Sequence, residues 1–144
     1  MRTDTDLLDV LSALGNTVSP LERRDSWAQA QSWRNVYASA LHSRTGKWSN
    51  GADWELLIGK DYQSKSSQRA LSEYLAQRPD SFLLRYTSSD SSLLLCVGGQ
   101  VPNLTGWGTD SYIFPPDLSW TMAFTEACDL VGGPYFAYRT WVGA

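Results

Sequence analysis

The sequence predicts an α+β fold in which N-terminal helices pack on one face of a mostly antiparallel sheet of four to six strands. Three observations lead there. Helical spacing dominates residues 4–77, and short apolar runs joined by tight polar connections dominate residues 81–139. Nowhere do strands and helices alternate in the way a parallel sheet requires. The 144 residues, 42% hydrophobic and 19% charged, suit a single globular domain spanning 1–144.

Residues 4–14 carry Leu7, Leu8, Leu11 and Leu14 at helical spacing, with Thr3 or Asp4 as cap and Gly15 placed to end the helix, which is expected to pack as a lid or arm. Ser19-Pro20-Leu21-Glu22 joins a capping serine to a proline at the first helical position and a reciprocal Glu, so a second helix is expected from Pro20. Trp27, Ala30, Trp33, Arg34, Tyr37, Ala40 and Leu41 line one side of it as a core stripe, until Thr45-Gly46 stops it. A polar loop then carries Trp48, and Trp54–Ile58 is a short apolar run that fits a strand or the start of a helix, with strand preferred. Ala70, Leu71, Tyr74 and Leu75 share a face of a further helix over Ser67–Gln77, closed by Arg78-Pro79.

The remainder reads as strands. Ser81–Thr87 and Ser92–Val97 flank a hairpin connection, and the second run, apolar on both alternating sets, is expected to be a central strand. Tyr112–Phe114 follows, then the Pro115-Pro116-Asp117-Leu118 turn and a strand in which Trp120, Met122 and Phe124 alternate with Thr121, Ala123 and Thr125. The first set is expected to be buried and the second wetter. A last strand spans Tyr135–Arg139.

Charge is unevenly placed. Residues 101–144 hold one base, Arg139, and four acids, Asp110, Asp117, Glu126 and Asp129, so the net charge of −3 arises there. This balance, without a basic stripe, argues against nucleic acid as a partner. No apolar run is long enough to span a bilayer, and the acidic start of the chain lacks the features of a secretory leader, so no membrane association and a cytoplasmic location are expected. Cys96 and Cys128 both lie in apolar surroundings and are expected as reduced, buried thiols.

The inventory for catalysis is thin. His42, the single histidine, falls near the end of a helix, where the helix C-terminus favours a cationic ring. One His and two Cys separated by 32 residues give no zinc-type spacing, and the Gly106-Trp107-Gly108 and Gly132-Gly133-Pro134 pieces lack the lysine and helix of a phosphate loop. No catalytic residue, metal or cofactor is assigned. Asp53 with Glu55, or Asp117 with Glu126, could form a carboxylate pair, although solvated surface positions are the favoured explanation. The excess residue is tryptophan, seven in 144, and Trp48, Trp107 and Trp141 fall in stretches read as loops or terminus, where large rings serve as interface anchors.

The segment Asp110-Ser111-Tyr112-Ile113-Phe114-Pro115-Pro116-Asp117-Leu118-Ser119-Trp120-Thr121-Met122-Ala123-Phe124-Thr125, followed by Gly133-Pro134-Tyr135-Phe136, resembles the signature of a family of short, uncharacterised bacterial cytosolic proteins. In that family the T-x-x-F-T motif is followed by His-Glu, whereas Thr125 here is followed by Glu126-Ala127. In size, acidity and solitary-domain form the family is similar to immunity proteins, which neutralise bacterial toxins. The resemblance implies a non-catalytic protein-binding module with a basic toxin domain as its partner. The expected contact residues are Asp110, Asp117, Glu126 and Asp129 for charge, with Trp107 and Trp48 as apolar anchors. Two other readings are a small hydrolase or transferase using the Asp117 and Glu126 carboxylates, and a subunit that dimerises through its Trp-bearing loops.

Overall fold

The computed structural model describes residues 4–37, 65–86, 93–107, 111–124 and 134–139. Helix α1 (Asp4–Ala13) leads into strand β1 (Thr17–Pro20) and helix α2 (Arg23–Tyr37). Strand β2 (Lys65–Ser66) precedes helix α3 (Ser67–Leu75). Five strands follow: β3 (Ser81–Arg85), β4 (Leu93–Val97), β5 (Ser111–Phe114), β6 (Trp120–Phe124) and β7 (Tyr135–Tyr138). One sheet joins them in the order β1-β4-β3-β5-β6-β7-β2, every pairing antiparallel. The α+β class holds. Six strands have four or five residues, and the two-residue β2 adds a short edge.

The helices divide between the two faces of the sheet instead of sharing one. Phe82, Leu84, Ile113, Trp120, Met122, Phe124 and Phe136 pack with Leu7 and Leu11 of α1 and with Ala70 and Tyr74 of α3. Leu83, Tyr112, Phe114, Ala123, Tyr135 and Ala137 pack instead with Trp33 and Tyr37 of α2. Both alternating sets along β3, β5, β6 and β7 are therefore apolar, and a sheet of that kind needs a covering layer on each side. The side of β6 expected to be wetter is dry, because Thr121 is fully buried and its Oγ1 accepts a 2.9 Å hydrogen bond from the Trp33 indole. Strand β4 is also less central than expected. It lies one place in from the β1 edge, with Leu94 and Leu95 half-buried and Val97 exposed, because β3 pairs with β5 on its other side and moves the centre to β5.

Helix α1 belongs to the core and is no lid, since Leu7 and Leu11 are buried. Its end follows from Gly15, whose φ of 91° is the left-handed conformation that glycine adopts at low cost. Asn16 N–H then reaches Leu11 O at 3.1 Å and Gly15 N–H reaches Ser12 O at 3.0 Å, capping the last turn. The buried Asn16 side chain donates to Leu11 O and Gln100 O and accepts from Gly99 N–H, which locks this corner to the turn after β4. A Cβ at Gly99 would lie 2.5 Å from Asn16 N and 2.6 Å from Leu14 O, both immobile backbone atoms. Gly99→Ala is therefore expected to destabilise the fold by about 3 kcal/mol in urea unfolding.

Helix α2 begins at Arg23 and not at Pro20. Ser19 and Pro20 pair with Leu95 and Leu94 of β4, and Leu21 N–H donates to Leu93 O at 2.9 Å. Ladder pairing outweighs the local capping signal here, and proline's missing N–H is tolerated at an edge strand. Ser26, fully buried, hooks the first turn of α2 to β4 by accepting from Leu93 N–H at 3.1 Å. The inward stripe is Ser26, Ala30, Trp33 and Tyr37, which turns Trp27 outward to 57% exposure, against the expectation of a core position. Helix α3 buries Ala70 and Tyr74 as expected and leaves Leu75 exposed.

Cys96 is buried and free, its thiol pushed up to about 12 by burial, which makes it a poor nucleophile. The continuation of the second helix towards Thr45, His42, Trp48, Asp53, Trp54–Ile58, Cys128 and Trp141 lie outside the described residues.

Candidate functional site

Of the six residues expected to contact a partner, Asp117 and Trp107 are described, whereas Asp110, Glu126, Asp129 and Trp48 lie outside the described residues. Trp107 is no surface anchor. Gly106 takes a φ of 80° and Trp107 N–H donates to Leu104 O at 3.2 Å, a turn that folds the ring inward to 8% exposure. There it meets the Tyr86 ring edge-on, with centroids 6.1 Å apart. Tyr86 follows the C-terminal end of β3, while Asp117 belongs with the N-terminal end, so the two expected residues do not share a surface.

Asp117 is exposed on the β5–β6 turn, and that turn is held from several sides. Leu118 N–H closes it onto Pro115 O at 2.9 Å, and Leu118 itself adopts a φ of 61°. A non-glycine residue in that region costs about 1–2 kcal/mol, a strain that persists only where the surroundings over-determine it. Here they do. The Leu118 side chain is buried against the α2 layer, and its carbonyl accepts a 2.8 Å bond from the Tyr37 hydroxyl. Burial raises the proton affinity of that hydroxyl; Arg139 opposes the shift and Asp117 adds to it. The Asp117 carboxylate accepts from Ser119 N–H at 3.0 Å, and Arg139 donates to Asp117 O at 3.3 Å. The carboxylate is thus presented on a rigid turn.

The β3·β5 register, with Leu83 opposite Phe114, brings the segment before β3 to the same end of the sheet. An open groove of about 480 Å³ results. One lip is Gln77, Arg78, Pro79, Asp80 and Ser81, the other is Pro115, Pro116, Asp117 and Ser119, and Trp120 and Tyr138 lie along it. Asp80 and Asp117 are both exposed. The nearby arginines are directed to carbonyls: Arg78 donates to Leu75 O at 2.6 Å and Gln77 O at 2.9 Å, closing α3, while Arg139 holds the Asp117 carbonyl. Tyr138 donates its hydroxyl proton to Glu73 at 2.6 Å and accepts from Gln77 at 2.9 Å, which fixes the inner wall. Partial burial raises the Tyr138 proton affinity first; the Glu73 hydrogen bond and charge raise it further, and Gln77 opposes. Such a groove can lay the stem of a long cationic side chain on Pro79 and Pro116 and bring its charge to an exposed carboxylate on either lip.

Asp80, Trp120 and Tyr138 were not among the expected site residues, because nothing local in the sequence reveals that β3 pairs with β5. Among the described residues, no group of three or more His, Cys, Asp or Glu side chains is arranged to hold a metal ion, and no helix is long and apolar enough to cross a membrane. In comparisons with known proteins, no family model, no curated protein and no solved structure matches the chain.

Proposed function

We propose that this protein is a non-catalytic binding module that neutralises a bacterial toxin in the cytoplasm, as immunity proteins do, by engaging a basic toxin domain at the Asp80 and Asp117 end of its sheet. One observation carries this reading. A strained turn, held by buried Tyr37 and by Arg139, presents an exposed carboxylate across a groove from a second one. Preorganised contacts of that kind avoid the ordering cost that weakens association. The resemblance of residues 110–136 to the bacterial family, and the acidic C-terminal third, favour the same class of partner. Pro116, exposed, and Pro79, half-buried, supply the apolar contact first expected of Trp107.

The test is co-expression in a bacterial host with any toxin-like C-terminal domain encoded beside the gene for this chain. Growth of the host and co-purification of a stoichiometric complex are the expected results. A host that dies despite abundant folded protein, with no complex recovered, would overturn the reading.

A further inference from the structure

Helix α2 carries a second surface of opposite sign. Successive residues of an α-helix are turned by about 100°, so Arg23, Arg34, Trp27, Gln31 and Arg24 fall next to one another, in that angular order, within a sector about 100° wide. Three of the five are arginines and none is acidic, while Asp25, the helix's acidic residue, lies beyond that sector. The sector borders the buried stripe of Ser26, Ala30, Trp33 and Tyr37 on one side only. Arg23 and Arg24 are exposed, and Trp27 is 57% exposed, whereas Trp33, Trp107 and Trp120 are buried. Among the described residues, the inward face of α2 is complete without the indole at position 27.

We infer that this flank of α2 is a docking surface for a carboxylate-rich segment of a partner protein, with an apolar residue of that segment on Trp27 and its acids on Arg23 and Arg24. Charge complementarity fixes the sign of the occupant. Tryptophan and arginine are also the residue types that dominate binding energy at protein interfaces, because a rigid ring and a planar guanidinium each bury large area with defined geometry. A protein segment fits better than a nucleic-acid strand: the chain's net charge is −3, and the sector offers one ring and not a row of stacking platforms. The surface shares no residue with the lining of the Asp80 and Asp117 groove, so variants of one leave the side chains of the other intact.

The sector from Arg23 to Arg34 is about 17 Å long, which an extended peptide of roughly ten residues spans with a margin. The probe is a fluorescein-labelled peptide of that length made of Glu, Asp and Leu, followed by anisotropy at low salt. The full chain is expected to bind it, and Trp27→Ala and Arg23→Ala/Arg24→Ala are each expected to weaken binding about tenfold. Arg69→Ala, at an exposed position of α3, changes the net charge in the same direction and is expected to alter binding less than twofold. All three variants substitute exposed side chains, and matched thermal melts confirm that they fold. Absence of binding, equal losses in the Arg69 variant, or tighter binding of a single-stranded oligonucleotide of equal charge would each overturn the inference.

Discussion

Trp33→Ala is expected to lower the free energy of unfolding by about 4 kcal/mol, read as a shift of the urea midpoint with an unchanged slope. The indole is 2% exposed and lies between α2 and the sheet. It contacts the Tyr37 ring at 5.4 Å and the Tyr112 ring edge-on at 5.5 Å. Its N–H donates to Thr121, so truncation opens a cavity and also takes from the buried Thr121 oxygen the hydrogen bond it accepts, leaving only the 3.5 Å bond it donates to Ile113 O. A loss below about 1 kcal/mol would mean that α2 does not cover this face of the sheet.

Phe136→Ala is expected to cost about as much, roughly 4 kcal/mol, from the opposite face. Phe136 is fully buried, stacks on Trp120 at 5.9 Å and meets the Tyr138 ring edge-on at 5.0 Å. It sits in the layer closed by α1 and α3, and its strand pairs with both β6 and β2. With one cavity on each side of the sheet and no shared ring contact, the two losses should add to within about 0.5 kcal/mol in the double variant. Strong non-additivity would mean that the two aromatic layers form one continuous core.

Much of this architecture is legible in the sequence where a signal is local. Alternation and turn residues place β3 to β7, and Gly15 ends α1 as its position implies. Errors arise where a local signal competes with a distant one. The Ser19-Pro20 pair has the makings of a helix start, but β4 takes those residues as an edge strand. Trp27 belongs to an apparent aromatic stripe, yet Ser26 is the residue that β4 draws inward. Trp107, flanked by glycines, reads as a loop residue, and its turn nonetheless aims the ring at Tyr86. The distribution of helices over both faces was readable in part, because Tyr112 and Phe114 are as apolar as Ile113 between them, and such a strand needs cover on both sides.

The candidate site was less legible. Asp117 stands out in the sequence by its place in an acidic, base-poor segment that carries the family resemblance, and its turn by the two prolines before it. Its partner across the groove, Asp80, depends on the pairing of β3 with β5, strands that are separated in the chain by β4. The fixing of the turn by Tyr37 joins residues 81 positions apart, and the left-handed Leu118 is a feature that no propensity would assign to leucine.

The central claim is that exposed carboxylates on a rigid groove hold a basic partner. Calorimetric titration, into the parent chain and into Asp80→Lys/Asp117→Lys, of a basic domain that co-purifies with the parent chain tests it most directly, with urea unfolding of both proteins as the check on folding. An affinity at least about tenfold weaker than that of the parent chain, and a weaker dependence on salt, is the predicted result. An affinity and salt dependence unchanged by reversing both charges would contradict it.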